Sequence, residues 1–156
     1  MREGVAAARA TGAGLYYPYH LAMLAEACGT AGHFEDGLTA LAEAIAIVQR
    51  TEERVYEAKL HRLKGELTLN QSNVQGLQSN VQLEAEGCFR KSIEIARQQE
   101  ARSLELKAVM SLSQLWAKQG KKAEARQTLA EIYGWFNEGF DTKDLMEAKT
   151  LIEQLS

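Results

Sequence analysis

Apolar residues recur along this chain with a helical period, and the pattern itself repeats. Leu21, Leu24, Ala25 and Cys28 stand at i, i+3, i+4 and i+7, one stripe of a helix within residues 15–31. Pro18 suits the first turn, where a missing N–H costs nothing. Gly32 ends the helix, with Gly29 loosening its last turn. After His33 a second stripe runs through Phe34, Leu38, Leu41, Ile45 and Val48. Helix, short turn, helix predicts an antiparallel pair. The pattern returns twice. Residues 52–69 carry Val55, Leu60, Leu63 and Leu67, and their partner over 84–98 carries Phe89, Ile93 and Ile95. Residues 103–118 carry Leu104, Val109, Leu112 and Trp116, followed over 121–136 by Ala125, Leu129, Ile132 and Phe136. Glu52 and Glu53 are expected to open the third of these helices, since acids favour the positive end of the helix dipole.

The small residues define a register. Ala25 and Gly65 lie forty apart, as do Ala85 and Ala125. Within the first and last pairs, Ala25 precedes Gly37, and Ser113 precedes Ala125, by twelve. In the middle pair Gly65 and Ala85 are twenty apart, an excess of eight. The excess falls on NQSNVQGLQSNVQ, Asn70 to Gln82, in which QSNVQ occurs twice at a step of seven. Ser, Asn, Gln and Gly favour loops, and loop closure costs only about 0.6 kcal/mol per doubling of length. The expectation is an inserted loop over 70–83, either a tolerated duplication without a role or a polar docking loop.

The ends differ. MREGVAAARATG reads as the second helix of an earlier pair, a leading helix over 2–11 whose partner is absent. An unpaired helix in a stacked array leaves an apolar face open, so the chain is expected to be the tail of a longer one. At the other end Asp141 or Thr142 can N-cap a helix over 143–155, with Leu145, Ala148, Ile152 and Leu155 on one face and Lys143, Glu147, Lys149 and Gln154 on the other. The expected organisation is one domain over 1–156: leading helix 2–11, repeats at about 15–49, 52–99 and 101–136, and a capping helix 143–155.

Composition narrows the function. A chain of 156 residues can bury its own core, and 46% apolar with 25% charged residues is a globular balance. The net charge of −3 comes from interspersed acids and bases, with no basic tract to suggest nucleic acid. No apolar run approaches the roughly 18 residues that would span a bilayer, and no signal-peptide pattern opens the chain, so the cytoplasm is the expected compartment. Cys28 and Cys88 lie far apart without metal-like spacing, as expected of two small buried thiols in a reducing compartment. There is no GxxxxGK[ST], GxGxxG or HExxH, and His20, His33 and His61 are scattered. No catalytic, cofactor or metal site is expected. Tyr133, Trp135, Phe136 and Phe140 read as a hydrophobic joint for the cap, or alternatively as an aromatic binding patch.

AEACGTAGHFEDGLTALAEAI, residues 25–45, resembles a tetratricopeptide repeat through Ala25, Cys28, Gly32, Phe34, Gly37, Leu41 and Ala44. The last pair resembles it through Ser113, Trp116, Gly120, Lys122, Ala125, Leu129 and Ile132, and the middle pair through Gly65, Ala85, Phe89 and Ser92. Gly37 stands where the pattern has Ala, Lys122 where it has an aromatic, and the period is 40 rather than about 34. Together with GELTLN, EAEGCFRKSIEIARQQEA, MSLSQLWAKQGKKAEAR and YGWFNEGFDTKDLMEAKTLIEQLS, the chain is similar to the C-terminal tail of bacterial multidomain signalling ATPases. Such proteins join a cyclase-like, kinase-like or DNA-binding domain to a large ATPase module, and the maltose-regulator-like activators are among them.

The resemblance implies an all-α fold, a right-handed superhelix of antiparallel helix pairs. It also implies a regulatory scaffold that binds a protein or peptide, such as upstream domains of the same polypeptide, and has no enzymatic activity of its own. By the repeat register the concave face is lined by Tyr19, Ala22 and Glu26, by Lys59, Arg62 and Glu66, and by Lys107, Met110, Gln114 and Lys118. Lys59, Arg62, Lys107 and Lys118 would make a mildly basic groove for an acidic peptide tail, the alternative being a solvated helix face. Two further functions stay open: a small-molecule sensor, which needs an enclosed pocket, and a homodimer formed through the leading helix at Val5 and Ala8.

Overall fold

Pro18 lies in the first turn of α1 (Tyr17–Ala31), the first helix of the computed structural model, which describes residues 16–75 and 79–156. α2 (Phe34–Thr51) follows, then a single 3₁₀ turn (Arg54–Tyr56), α3 (Glu57–Gln75), α4 (Ser79–Gln98), α5 (Arg102–Lys118), α6 (Lys122–Tyr133) and α7 (Lys143–Gln154). Among the described residues there is no strand, and the fold is all-α. The expected leading helix over 2–11 lies outside the described residues.

The hairpin turns follow from backbone chemistry. Gly32 takes a left-handed φ of 79°; its N–H bonds to Gly29 O (3.2 Å) and that of His33 to Cys28 O (2.8 Å). This is a Schellman closure, which satisfies carbonyls that the helix end would leave bare. Eighty-eight residues later Gly120 repeats it at φ 84°, its N–H bonding to Ala117 O (3.2 Å) and that of Lys121 to Trp116 O (2.9 Å). The turn from α4 to α5 closes in the same way, with Ala101 N–H on Ala96 O (2.9 Å) and Glu100 N–H on Arg97 O (3.0 Å). Here the left-handed residue is Glu100, at φ 53°. A side chain at such a φ costs about 1 kcal/mol or more, and glycine removes that cost while freeing the unfolded chain. Glu100→Gly is therefore expected to stabilise by about 0.5 kcal/mol, raising the thermal midpoint by a few degrees in calorimetry. A fall in the midpoint would contradict this account of the turn.

The sequence reads as one domain; the contacts divide the chain into two compact units, Met1–Cys88 and Phe89–Ser156, with the boundary inside α4. In the first unit α1, α2 and α3 pack together around Leu21, Ala25, Leu41, Ala44, Val48, Leu60, Leu63 and Leu67, all buried. Tyr17 OH donates to Glu43 Oε1 (2.9 Å), tying α1 to α2. In the second unit α7 packs on both α5 and α6, burying Leu145 and Ala148 with Val109, Leu112, Leu129 and Ile132.

The twelve-residue register of the first and last hairpins marks contacts between their arms. Ser113 Oγ, fully buried, donates to Ala125 O (3.2 Å). In the first hairpin a Cβ on Gly37 would sit 3.3 Å from Ala25 O. Gly37 and Gly29 also form the two sides of a notch filled by Leu67 of α3, whose methyls would lie 2.8 Å and 2.6 Å from Cβ atoms added there. A side chain at 37 would crowd Leu67 and the Ala25 carbonyl.

Three local expectations need correction. Glu52 does not open a helix: α2 runs to Thr51 and Glu52 is its left-handed cap at φ 59°, while Glu53 caps the 3₁₀ turn that leads into α3, whose own first-turn acid is Glu57. Val55, expected in the core stripe, falls in the 3₁₀ turn and is 70% exposed. The inserted loop over 70–83 is also largely absent, because α3 continues to Gln75 and α4 begins at Ser79. Gln, Asn and Ser are only mildly unfavourable inside helices, and a helix already nucleated extends at little cost. The insertion is absorbed as about one extra turn on each arm. Past its small residue α3 runs ten residues, Gly65 to Gln75, where α1 runs six, Ala25 to Ala31. Before its small residue α4 runs six residues, Ser79 to Ala85, where α2 runs three, Phe34 to Gly37. A whole turn added to a helix leaves its own buried face in phase, and Gly65 and Ala85 are buried.

Candidate interaction surface

α1 and α3 lie side by side in the first unit, and their helical phase brings several of the expected face residues together. Lys59 Nζ donates to Glu26 Oε2 across the two helices (3.3 Å) and sits 5.9 Å from the ring centre of Tyr19. Tyr19 meets Tyr56 at 5.5 Å and His20 at 5.8 Å between ring centres. One turn along α3 from Lys59, Arg62 Nη1 donates to Glu66 Oε1 (2.6 Å). Ala22 is buried in the core and lines no surface. Tyr56 joins the cluster without having been expected there. Tyr16, the N-cap of α1, and Met23 are exposed, at i and i+7 about Tyr19 at i+3.

In the second unit the expected residues are less uniform. Lys107 Nζ pairs with Asp144 Oδ2 of α7 (3.3 Å), Gln114 and Lys118 are exposed, and Met110 is a core residue at 8% exposure. Met110 was placed on the open face by strict register, but α5 is buried around most of its circumference, from Glu105 to Trp116. Three of the four expected groove cations carry a carboxylate partner, while Lys118 is exposed. Lys59, Arg62 and Lys107 are each matched by a carboxylate on the neighbouring surface: Glu26, Glu66 and Asp144.

Glu105 was not anticipated as a buried charge, because it interrupts an apolar run between Leu104 and Leu106. It is 1% exposed; Arg97 Nε donates to its Oε1 (2.5 Å), and Arg102 Nη1 stands 3.7 Å from its Oε2. The Arg102 guanidinium stacks on Trp135 at 3.9 Å. The aromatic joint before α7 is therefore half open: Tyr133 and Phe140 touch at 5.7 Å, while Trp135 and Phe140 keep an exposed edge.

The remaining chemistry is sparse. Cys88 is buried, and desolvation pushes its thiol up, with Lys64 partly opposing; Cys28 is half-buried. Among the described residues no group of three or more His, Cys, Asp or Glu side chains is placed to hold a metal, and no helix is long and apolar enough to cross a membrane. A cleft of about 1050 Å³, open to solvent, lies between α6 and the last residues and is lined by Lys122, Arg126, Ala130, Glu131, Leu155 and Ser156. Val5 and Ala8, expected at a dimer contact, lie outside the described residues. No protein-family model matches the chain, and no curated protein matches it.

Proposed function

We propose that this chain is a protein–protein or interdomain interaction scaffold, built as a tetratricopeptide-like array and serving as the regulatory tail of a larger signalling protein. One observation carries the reading. First helices of successive pairs, α1 and α3, together present Tyr19, Glu26, Lys59, Arg62 and Glu66, a surface of tyrosine and paired charge with no reactive group in it. Tyrosines held in place beside charged groups are efficient contact residues, because they bury large area at small entropic cost. The small residues at the hairpin crossings, Ala25 with Gly37 and Ser113 with Ala125, support the repeat architecture.

The test is site-specific photocrosslinking in cells. Benzoylphenylalanine placed at Tyr19 is expected to crosslink to a protein, or to another part of the same polypeptide. The same probe at Glu35, exposed on α2, is expected to give no such product. Absence of any crosslink specific to position 19 would remove this reading.

A further inference from the structure

We infer that the face formed by α1 and α3 takes an uncharged apolar segment of a partner polypeptide, and not an acidic tail. The inference rests on the interaction reading above and specifies the chemistry of the partner. Its basis is the charge on the face. Lys59 is paired with Glu26 at 3.3 Å, Arg62 with Glu66 at 2.6 Å, and Arg54 with Glu57 at 3.9 Å. An acidic segment docking here must break one of these pairs or lie against Glu26 and Glu66, and like charges brought together cost several kcal/mol. A basic segment meets the same obstacle from Lys59 and Arg62.

What the face offers instead is apolar surface. Tyr16, the N-cap of α1, is 56% exposed, and Tyr19 (37%) and Met23 (38%) follow on the helix. Val55, largely exposed, lies in the turn that leads into Tyr56, the residue in contact with Tyr19. From Tyr16 to Met23 the stripe is about 10 Å long, two helical turns, which matches two or three apolar side chains of a bound segment. The tyrosine rings and the thioether supply dispersion and shape, and the charged pairs make a neutral polar rim.

The experiment pans a phage-displayed library of random twelve-residue peptides on the whole chain. Enriched peptides are expected to be rich in aliphatic and aromatic residues, with no bias toward Asp or Glu. Their affinity should change less than about twofold between about 50 and about 500 mM salt, because no net charge is being screened. Tyr19→Ala combined with Met23→Ala, at exposed positions and with helicity checked by circular dichroism, should weaken binding at least about tenfold. Enrichment of acidic peptides that lose binding on Lys59→Ala would overturn the apolar assignment while leaving the interaction reading in place. No enrichment, or peptides that bind the double variant unchanged, would overturn both.

Discussion

Gly37→Ala is expected to destabilise the first unit, and the same substitution made beside Leu67→Ala is expected to stabilise it. The added Cβ would lie 2.8 Å from Leu67 Cδ1 and 3.3 Å from both Ala25 O and Cys28 Cβ. Leu67 cannot simply withdraw, because its other methyl already faces Gly29, where a Cβ would stand 2.6 Å away. Overpacking of this kind costs about 1–3 kcal/mol, against a gain of about 1 kcal/mol in helix propensity, so the net effect is a loss. Leu67→Ala alone removes a buried side chain from the notch and should cost about 2–5 kcal/mol. With the methyls gone, Gly37→Ala meets only the Ala25 and Cys28 contacts, and the propensity gain dominates. Urea midpoints of the four proteins in this cycle give the coupling directly. If Gly37→Ala has the same sign in both backgrounds, Leu67 is not what keeps glycine at that position.

The second large effect is an asymmetry around Glu105. Removing both Arg97 and Arg102 leaves a carboxylate at 1% exposure with no cation beside it, and one of its oxygens accepts no hydrogen bond even now. Orphaning a buried charge costs about 3–5 kcal/mol; Arg97→Ala with Arg102→Ala should fall near the lower figure, because both guanidinium groups are themselves half exposed. Glu105→Met leaves the two arginines to water instead, and fills the site with an apolar side chain of similar length. It should change stability by no more than about 1 kcal/mol in either direction. Denaturant unfolding of the two variants decides the matter: equal losses would mean that Glu105 is held by packing and not by its charge partners.

Periodicity made much of the fold legible, because it is a local property. Apolar spacing sets which side of each helix is buried, and Leu21, Leu41, Leu60, Val109, Leu129 and Leu145 all face inward as their stripes predict. Gly32 and Gly120 mark turns because only their backbone accepts φ near 80° without cost. The twelve-residue spacing in the first and last hairpins brings Ala25 against Gly37 and Ser113 against Ala125.

Where propensity is weak, the sequence alone did not decide. QSNVQ is nearly indifferent between helix and loop, and it became helix because the arms on either side were already helical. Glu52 and Glu100 take left-handed conformations that their own side chains disfavour, and no local signal marks them as turn residues. The interaction face shows the same division. Spacing placed Tyr19, Glu26, Lys59 and Arg62 on one side of their helices. Only the tertiary structure paired Lys59 with Glu26, thirty-three residues away. Helical phase is written in every few residues, whereas the partner of a side-chain tip depends on how two helices pack, which no local pattern encodes.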